Sequence, residues 1–381
     1  MTIKLYDNDS YATEFDATVI SCEKTDKGYK TLLDRTLFFP EEGGQCSDKG
    51  HIDGVEITHV ELNGDNIYHY SDNPFEAGGT VHGTIDFELR FRNMQNHTGE
   101  HIICGIAHSL YGYENVGFHL GADYVTMDLS GELTNEDLRK IEILANKAVV
   151  ANMPVTCRYP SAEELKTLDY RAKLDIIENV RIVTVGDVDC CACCAPHVAR
   201  TGEIGTIKIL DAIRYKGGMR LNILCGSLAL EDYHNRYIRN VEISGLLSAK
   251  QQDIVTAVQK LLDDNNALKQ QLADKNRQIT AVIAQGVQPS DGNICLYNSM
   301  LTPDMLRLVA NEAMSKAGGI LVVLCGSDDE GYKYVMATAD GDISPAVKDA
   351  NSALNGRGGG KGNMAQGSFG VKLEEIEKYF E

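Results

Sequence analysis

Residues 96–108, NHTGEHIICGIAH, carry two histidines one helical turn apart, His97 and His101, and this spacing decides how the chain is interpreted. On a helix, two residues four positions apart lie on one face, where both imidazole rings can bind one metal ion. A second pair with the same spacing, Cys193 and His197, lies in residues 189–205, DCCACCAPHVARTGEIG. Three imidazole nitrogens and one thiolate match the ligands that zinc prefers. The sequence therefore predicts a zinc protein.

Length and composition limit the class of protein. The chain has 381 residues, of which 43% are hydrophobic and 24% charged, as in a globular protein of two or three domains. Eleven cysteines without a secretory leader indicate free or metal-bound thiols in the cytoplasm. A net charge of −19 argues against a non-specific nucleic-acid binder, so we expect no DNA partner. We expect no membrane partner, because the longest apolar run, 320–325, is too short to span a bilayer.

Changes in residue composition and hydrophobic pattern along the chain predict an α+β multidomain protein. In residues 1–88, short apolar segments are separated by turn dipeptides such as Asp53-Gly54, which is typical of a β-barrel-like domain. Residues 89–238 mix helical and strand patterns and contain both metal pairs, which predicts an α/β zinc domain. Within it, we expect one helix to begin near Phe91 and a second to cover residues 136–150.

The second of these helices has a predicted start. Thr134 is the expected N-cap, because Asp137 follows three residues later and can complete a capping box.

Residues 239–285 predict a helical linker. No proline or glycine occurs between Gly245 and Gly286, and seven of nine positions spaced alternately four and three apart from Ile254 to Val282 are apolar. This pattern predicts a coiled coil or a helical hairpin. A single long helix lying on its own core is the alternative.

Residues 286–381 predict a C-terminal α/β domain. Strands are expected at 294–297 and 319–324, a helix opens at Pro303, and a glycine-rich loop covers 356–370. We expect this domain and the linker to form a homodimer.

Several segments resemble those of a known family. They are LDRTLFFPEEGGQCSDKG, NHTGEHIICG, FHLGADYVTMDL and CCAPHVARTGEIGTIKIL. Together they resemble the editing domain of alanyl-tRNA synthetases and the free-standing AlaX editing proteins. The tail GRGGGKGNMAQGSFG resembles the glycine-rich motif of the DHH-associated domain of the synthetase and of long AlaX proteins. The resemblance covers nearly the whole chain in the right order, and no segment resembles the aminoacylation core.

The resemblance implies a deacylase acting in trans on the acceptor end of tRNA(Ala) mischarged with serine or glycine. The family's zinc motifs fall here on His97, His101, Cys193 and His197, and Cys191 is the alternative thiolate. The chain departs from the family pattern at Glu42, Cys46 and residues 194–196, where the family has glycine, proline and Gly-Gly-Thr. None of these differences removes a ligand.

Three candidate catalytic residues accompany the zinc ligands. Gly43 and Gly44 offer unhindered N–H groups for substrate binding and Gln45 offers a side-chain amide, unless the segment is a simple turn. The Thr36 hydroxyl can pair with a serine hydroxyl and so discriminate against alanine, unless Thr36 is an ordinary strand residue. Glu100 is either a general base or a solvated helix position, and the second interpretation is favoured.

The glycine-rich tail offers a further substrate contact. Bare N–H groups at Gly359 beside Arg357 and Lys361 suit the phosphates of a tRNA backbone. The run Gly358–Lys361 lacks the spacing and the hydroxyl residue of a nucleotide-binding P-loop.

Two alternative functions stay open from the sequence. His97-x-x-Glu100-His101 fits the H-x-x-E-H pattern of inverzincin peptidases, although this leaves Cys193 and His197 without a role. A non-catalytic tRNA-binding protein with structural zinc is the other, since four protein ligands form a closed site whereas catalytic sites keep one position open. A catalytic zinc here must therefore lose one ligand to water or expand to five ligands.

Overall fold

The structure is a computed structural model that describes residues 1–121, 124–172 and 180–381. Two residues of one family-like segment, Ala122 and Asp123, lie outside the described residues. Contacts divide the chain into two compact units, Met1–Val241 and Glu242–Glu381. The described residues form a mixed α+β protein with several sheets, as predicted. No helix among them is long and apolar enough to cross a membrane.

The first 85 residues form β-structure. The strands are β1 (Ile3–Lys4), β2 (Glu14–Thr25), β3 (Gly28–Leu33), β4 (Arg35–Thr36), β5 (Gly50–Ile52), β6 (Val55–Ile57), β7 (His59–Asn63), β8 (Asn66–Ser71) and β9 (Thr80–Ile85). Seven of them form an antiparallel, nearly closed, barrel-like sheet in the order β6-β5-β9-β2-β3-β8-β7. Alternate residues of β2, namely Phe15, Ala17 and Val19, point into its core. The short parallel pair β1–β4 sets Lys4 beside Thr36.

The rest of the first unit packs helices against two further sheets. Its elements are α1 (Phe87–Tyr111), β10 (Asn115–Leu120), β11 (Val125–Leu129), α2 (Asn135–Val150), β12 (Val155–Arg158), α3 (Ala162–Leu165), β13 (Ile182–Val185), β14 (Asp189–Ala192), β15 (Ile207–Tyr215), β16 (Gly218–Cys225) and α4 (Ser227–Leu246). The sheets have the strand orders β10-β11-β16-β15 and β12-β13-β14. Their apolar faces join α1 and α2 in a core separate from that of the barrel.

Helix α1 joins the two cores of this unit. It begins at Phe87, four residues before the predicted start, because the Asp86 carboxylate accepts a hydrogen bond from Leu89 N at 3.0 Å and caps the helix. Near this end the guanidinium of Arg90 binds the carboxylate of Asp48 in the barrel, and both side chains are fully buried. Arg90 also donates to Leu37 O at 2.6 Å. This buried ion pair fixes the start of α1 to the barrel.

Helix α2 starts where the sequence predicted. The Thr134 hydroxyl accepts from Asp137 N at 3.2 Å, and the Asp137 carboxylate accepts from Thr134 N at 3.0 Å. The predicted capping box is confirmed.

The predicted helical linker consists of parts of two helices. Helix α4 ends at Leu246 and the next helix, α5 (Ile254–Gly286), begins after a break in which Ser248 has φ +48°. The apolar side chains of Leu261, Leu268 and Leu272 are 58–63% exposed. The buried residues of α5 lie near its end, at positions 280 and 284. The alternative of a single helix lying on its own core is therefore wrong, and the coiled coil or helical hairpin stays a prediction.

The second unit is completed by a five-stranded sheet with helices on both faces. Its elements are β17 (Ile294–Tyr297), α6 (Pro303–Ala313), β18 (Ile320–Ser327), β19 (Gly331–Thr338), α7 (Ser344–Ala353), β20 (Arg357–Lys361), β21 (Met364–Phe369) and α8 (Leu373–Phe380), and the strand order is β17-β18-β19-β21-β20. Helix α6 and the end of α5 pack on one face, and α7 and α8 pack on the other. The predicted strand at 294–297 and the helix opened by Pro303 are present.

The predicted glycine-rich loop is wrong, because residues 357–369 form the β20–β21 hairpin. Three of its glycines, Gly358, Gly360 and Gly367, allow close packing, because a Cβ at each would lie within 2.5 Å of a backbone oxygen on the neighbouring strand. A Cβ at Gly358 would lie 2.4 Å from Gln366 O and 2.5 Å from the Tyr334 hydroxyl. Glycine density here reflects a narrow space between strands rather than an irregular loop.

Candidate metal centre

The structure brings the four predicted metal ligands together. The nitrogen and sulfur atoms of His97, His101, Cys193 and His197 lie within 4.8 Å of one another. The Cys193 Sγ atom is 3.5 Å from His97 Nε2 and 3.4 Å from His197 Nε2. All three histidines are buried. Such a cluster of one thiol and three imidazoles can hold a metal ion.

The second ligand pair is not helical, contrary to the geometry assumed from its spacing. Cys193 and His197 lie in the loop after β14. The buried Arg181 shapes this loop: its Nη1 donates to Cys193 O at 3.1 Å and to Ala195 O at 2.8 Å. Its own carbonyl accepts from Cys193 N at 3.0 Å. The loop held by Arg181 therefore brings Cys193 and His197 next to α1.

Each histidine of the cluster is held through its other ring nitrogen. The Nδ1 atom of His97 lies 2.8 Å from Gln45 Oε1, and that of His101 lies 2.8 Å from Asp189 Oδ2. The Nδ1 atom of His197 lies 3.0 Å from Thr98 Oγ1, whose single proton is donated to Met94 O at 2.7 Å.

These contacts fix the tautomers of the rings. An amide oxygen, a carboxylate and a hydroxyl whose proton is already donated can only accept, so each ring carries its proton on Nδ1. In the neutral form of each ring, Nε2 is then unprotonated and can bind a metal ion. Metal-binding histidines are oriented in this way, and the residues fit a bound metal ion.

Electrostatics distinguishes Cys193 from the neighbouring thiols. Burial opposes ionisation of Cys193, but the adjacent His97 holds the pKa of its thiol well below the usual range. Burial lowers the pKa of His197 to about 3, which keeps its ring neutral. Burial raises the pKa of Cys191 to about 11. Among the described residues, Cys191 forms a second group with His101 and Asp189 and is not part of the four-residue cluster.

A cavity of about 440 Å³ opens beside the cluster. Its wall includes His97, His101 and Cys193 together with Glu100. Both signs of charge are present around it. The other charged residues of the wall are Lys4, Glu42, Glu114, Arg171 and Arg181.

Glu100 is buried in the wall of this cavity, with 4% of its surface exposed. Its Oε1 accepts hydrogen bonds from Asn115 Nδ2 and, at 3.1 Å, from the Cys104 thiol. Its Oε2 lies 4.0 Å from His101 Nε2. The favoured interpretation of Glu100 as a solvated helix position is therefore wrong, because α1 is enclosed on all sides at this point.

The Gly43–Gln45 segment packs closely against β10. Gly43 and Gly44 have φ of +63° and +84°, and Leu120 N donates to Gly44 O at 2.8 Å. A Cβ at Gly44 would lie 2.2 Å from Phe118 O, so the approach requires glycine. Gly43 lines the cavity. Gln45 is buried, and while its oxygen holds His97, its Nε2 has no hydrogen-bond partner among the described residues.

Two other groups of predicted site residues lie outside the cavity wall. Thr36 is fully buried, where its hydroxyl accepts from Phe38 N at 3.0 Å and pairs with His69 Nε2 at 2.8 Å. Arg357, Gly359 and Lys361 are exposed on the edge strand β20 of the second unit.

Sequence reasoning missed several residues of the site. They are Thr98, Asp189, Arg171 and Arg181, which hold the ligands in place. Asp189 could have been noticed as an acidic residue directly before the cysteine cluster. Arg171 could not, since its partner lies 18 residues away and no local pattern connects them.

Comparisons with known proteins agree with the resemblance seen in the sequence. Residues 180–221 match the model of the threonyl and alanyl tRNA synthetase second additional domain, and residues 291–381 match that of the DHHA1 domain. The chain is 29% identical to the alanyl-tRNA editing protein AlaX-L of Pyrococcus horikoshii, covering 99% of this chain and 96% of that protein.

Two further relatives are an editing protein and a ligase, and they differ in how much of their length the chain covers. The alanyl-tRNA editing protein Aarsd1 of Mus musculus is 29% identical, with 95% of this chain and 93% of that protein covered. The alanine–tRNA ligase of Methanoregula boonei is 31% identical over 99% of this chain, but the match covers 42% of the ligase. The predicted resemblance to alanyl-tRNA editing proteins is confirmed over nearly the whole chain.

Proposed function

We propose that this protein is a zinc-dependent aminoacyl-tRNA deacylase that acts in trans, in the cytoplasm, on tRNA(Ala) mischarged with serine or glycine. One observation carries the proposal: the cluster of His97, His101, Cys193 and His197 opens on a cavity that also contains the buried carboxylate of Glu100. The similarity to alanyl-tRNA editing proteins supplies the substrate class.

The chemistry follows from the groups around the cavity. Hydrolysis of an aminoacyl ester requires a deprotonated water and stabilisation of the charge that develops on the carbonyl oxygen. When bound by the four ligands, a zinc ion supplies Lewis acidity at neutral pH. Glu100 Oε1 is occupied by Asn115 and Cys104, which leaves Oε2 to accept a proton from water. We therefore assign Glu100 as the general base.

The charged wall of the cavity suits both ends of an aminoacylated terminal nucleotide. Lys4 lines the cavity, where its ammonium suits a phosphate. The carboxylate of Glu42 suits the α-ammonium of the amino acid. Thr36 remains our candidate for distinguishing serine from alanine. The Thr36 hydroxyl is paired with His69. Selection of serine therefore requires that this hydroxyl exchange His69 for the substrate hydroxyl, or that Thr36 act indirectly by positioning strand β4.

The second unit supplies the expected tRNA and dimer contacts. The exposed β20 edge offers Arg357, Gly359 and Lys361 to backbone phosphates. The exposed apolar seam of α5 is the candidate surface for a homodimer.

A substrate panel tests the proposal. Zinc-loaded protein is incubated with Ser-, Gly- and Ala-tRNA(Ala) and, separately, with a casein-type peptide substrate. We expect hydrolysis of the serine or glycine ester, with Ala-tRNA(Ala) largely spared. Peptide cleavage without ester hydrolysis would instead support the inverzincin alternative, which the position of Glu100 beside His101 favours. Tight tRNA binding with neither activity would indicate a non-catalytic protein.

A further inference from the structure

The three histidines of the metal cluster are not held alike. His97 is held by the amide oxygen of Gln45 and His197 by the hydroxyl of Thr98, which are neutral groups. His101 is held by the carboxylate of Asp189, at 2.8 Å. A carboxylate that accepts the Nδ1 proton makes the opposite nitrogen a stronger electron donor, as well as fixing the ring. His101 is thus the ligand whose donor strength depends most on its support.

The carboxylate of Asp189 is itself held by a planar fork. Arg171 Nε donates to Asp189 Oδ1 at 2.8 Å, and Arg171 Nη2 donates to Asp189 Oδ2 at 2.9 Å. The Asp189 side chain is 1% exposed and that of Arg171 is 12% exposed. A bidentate guanidinium–carboxylate pair fixes both the position and the plane of the carboxylate.

The backbone of Arg171 is fixed to the same strand. Arg171 N donates to Cys190 O at 2.8 Å, and Ala192 N donates to Arg171 O at 2.9 Å. These two bonds seat Arg171 on β14, which also carries Asp189 and leads directly into Cys193. Arg171 additionally lines the cavity.

We infer that Arg171 and Asp189 are positioning residues that act through His101 and set how tightly the site holds its metal ion. The inference rests on the proposed metal centre. Asp189 orients and strengthens the His101 ligand, and Arg171 holds the carboxylate in the plane that this requires. Removing Arg171 leaves a buried carboxylate without its counter-charge and without the two hydrogen bonds that fix its plane, so Asp189 rotates and no longer orients His101.

Zinc affinity measured by chelator competition on the full chain tests this inference without using activity. Asp189→Ala should raise the dissociation constant for zinc by about 10- to 100-fold, the usual effect of removing such a partner. Asp189→Asn keeps an oxygen for His101 and should show a smaller rise. Arg171→Ala should weaken zinc binding, and Arg171→Lys, which keeps the charge without the fork, should restore it in part.

The Arg220–Asp128 pair provides a matched control. It has the same forked geometry, with Nε–Oδ1 at 2.7 Å and Nη2–Oδ2 at 2.8 Å, but it joins β16 to β11 and touches no ligand. Arg220→Ala should leave zinc affinity unchanged. Substitution of Co²⁺ for zinc gives a second measurement, since the visible absorption bands should shift in Asp189→Asn and not in Arg220→Ala.

Two results separate the inference from the proposed function. Unchanged zinc affinity and an unchanged Co²⁺ spectrum in folded Asp189→Asn and Arg171→Ala would overturn the inference alone. A wild-type chain that binds no zinc would overturn the proposed metal centre and this inference together.

Discussion

Replacing Glu100 by glutamine should abolish most of the deacylase activity while leaving the metal site intact. Glutamine has the same shape and keeps an oxygen to accept from Asn115 and Cys104, so α1 should stay folded. Glu100 is not among the four clustered ligands, so zinc content should not change. Loss of a general base lowers the rate by about 100- to 10,000-fold, which corresponds to about 2.7–5.5 kcal/mol in activation free energy.

The measurement is single-turnover hydrolysis of Ser-tRNA(Ala), together with elemental analysis for zinc. Glu114→Gln is the matched control, because Glu114 also lines the cavity but is half exposed and paired with His108 at 2.8 Å. We expect a change of about two-fold or less for Glu114→Gln. A Glu100→Gln variant that keeps its zinc and retains a rate within about three-fold of wild type would remove Glu100 from the general-base role.

Three further predictions concern the ligands, the specificity and the second unit. Elemental analysis of Cys193→Ala should show strong zinc loss and Cys191→Ala should keep its zinc; the reverse result would exchange their roles. Thr36→Val should narrow the serine-to-alanine ratio of deacylation rates by roughly ten-fold, the effect of one buried hydrogen bond of about 1.5 kcal/mol, and an unchanged ratio would exclude Thr36 from substrate selection. A protein ending near Tyr237 should keep its zinc and become monomeric, with a salt-dependent loss of tRNA affinity. Light scattering and filter binding would contradict this if the shortened chain stayed dimeric and bound tRNA as tightly as the full chain.

Local patterns were enough to predict the parts of the structure that depend on near neighbours. The four-residue spacing of His97 and His101 and the capping box at Thr134 depend on helical geometry alone, and the structure has both on helices. The pairing of Cys193 with His197 was chosen for the same reason, yet these residues lie on a loop shaped by Arg181. The right residues were therefore selected with a wrong local conformation.

Features that depend on distant contacts could not be predicted from spacing. Burial of Glu100 results from the packing of α1 between the barrel core and the second sheet, which no local pattern reports. The fork from Arg171 to Asp189 joins residues on separate segments. Likewise, the need for glycine at Gly358 could not be predicted, because the narrow space there is defined by Gln366 and Tyr334 on other strands.

The most direct test of the proposed deacylase activity is zinc-dependent hydrolysis of Ser-tRNA(Ala). The rate of ester hydrolysis is measured for the purified full chain, for the same chain stripped of metal by a chelator, and for the stripped chain after one equivalent of zinc is returned. We expect hydrolysis by the purified chain, a rate little above the uncatalysed rate for the stripped chain, and recovery of the rate when zinc is returned. Two results would contradict the proposed activity. One is full activity in the stripped chain, and the other is no activity in a chain that holds zinc at His97, His101, Cys193 and His197.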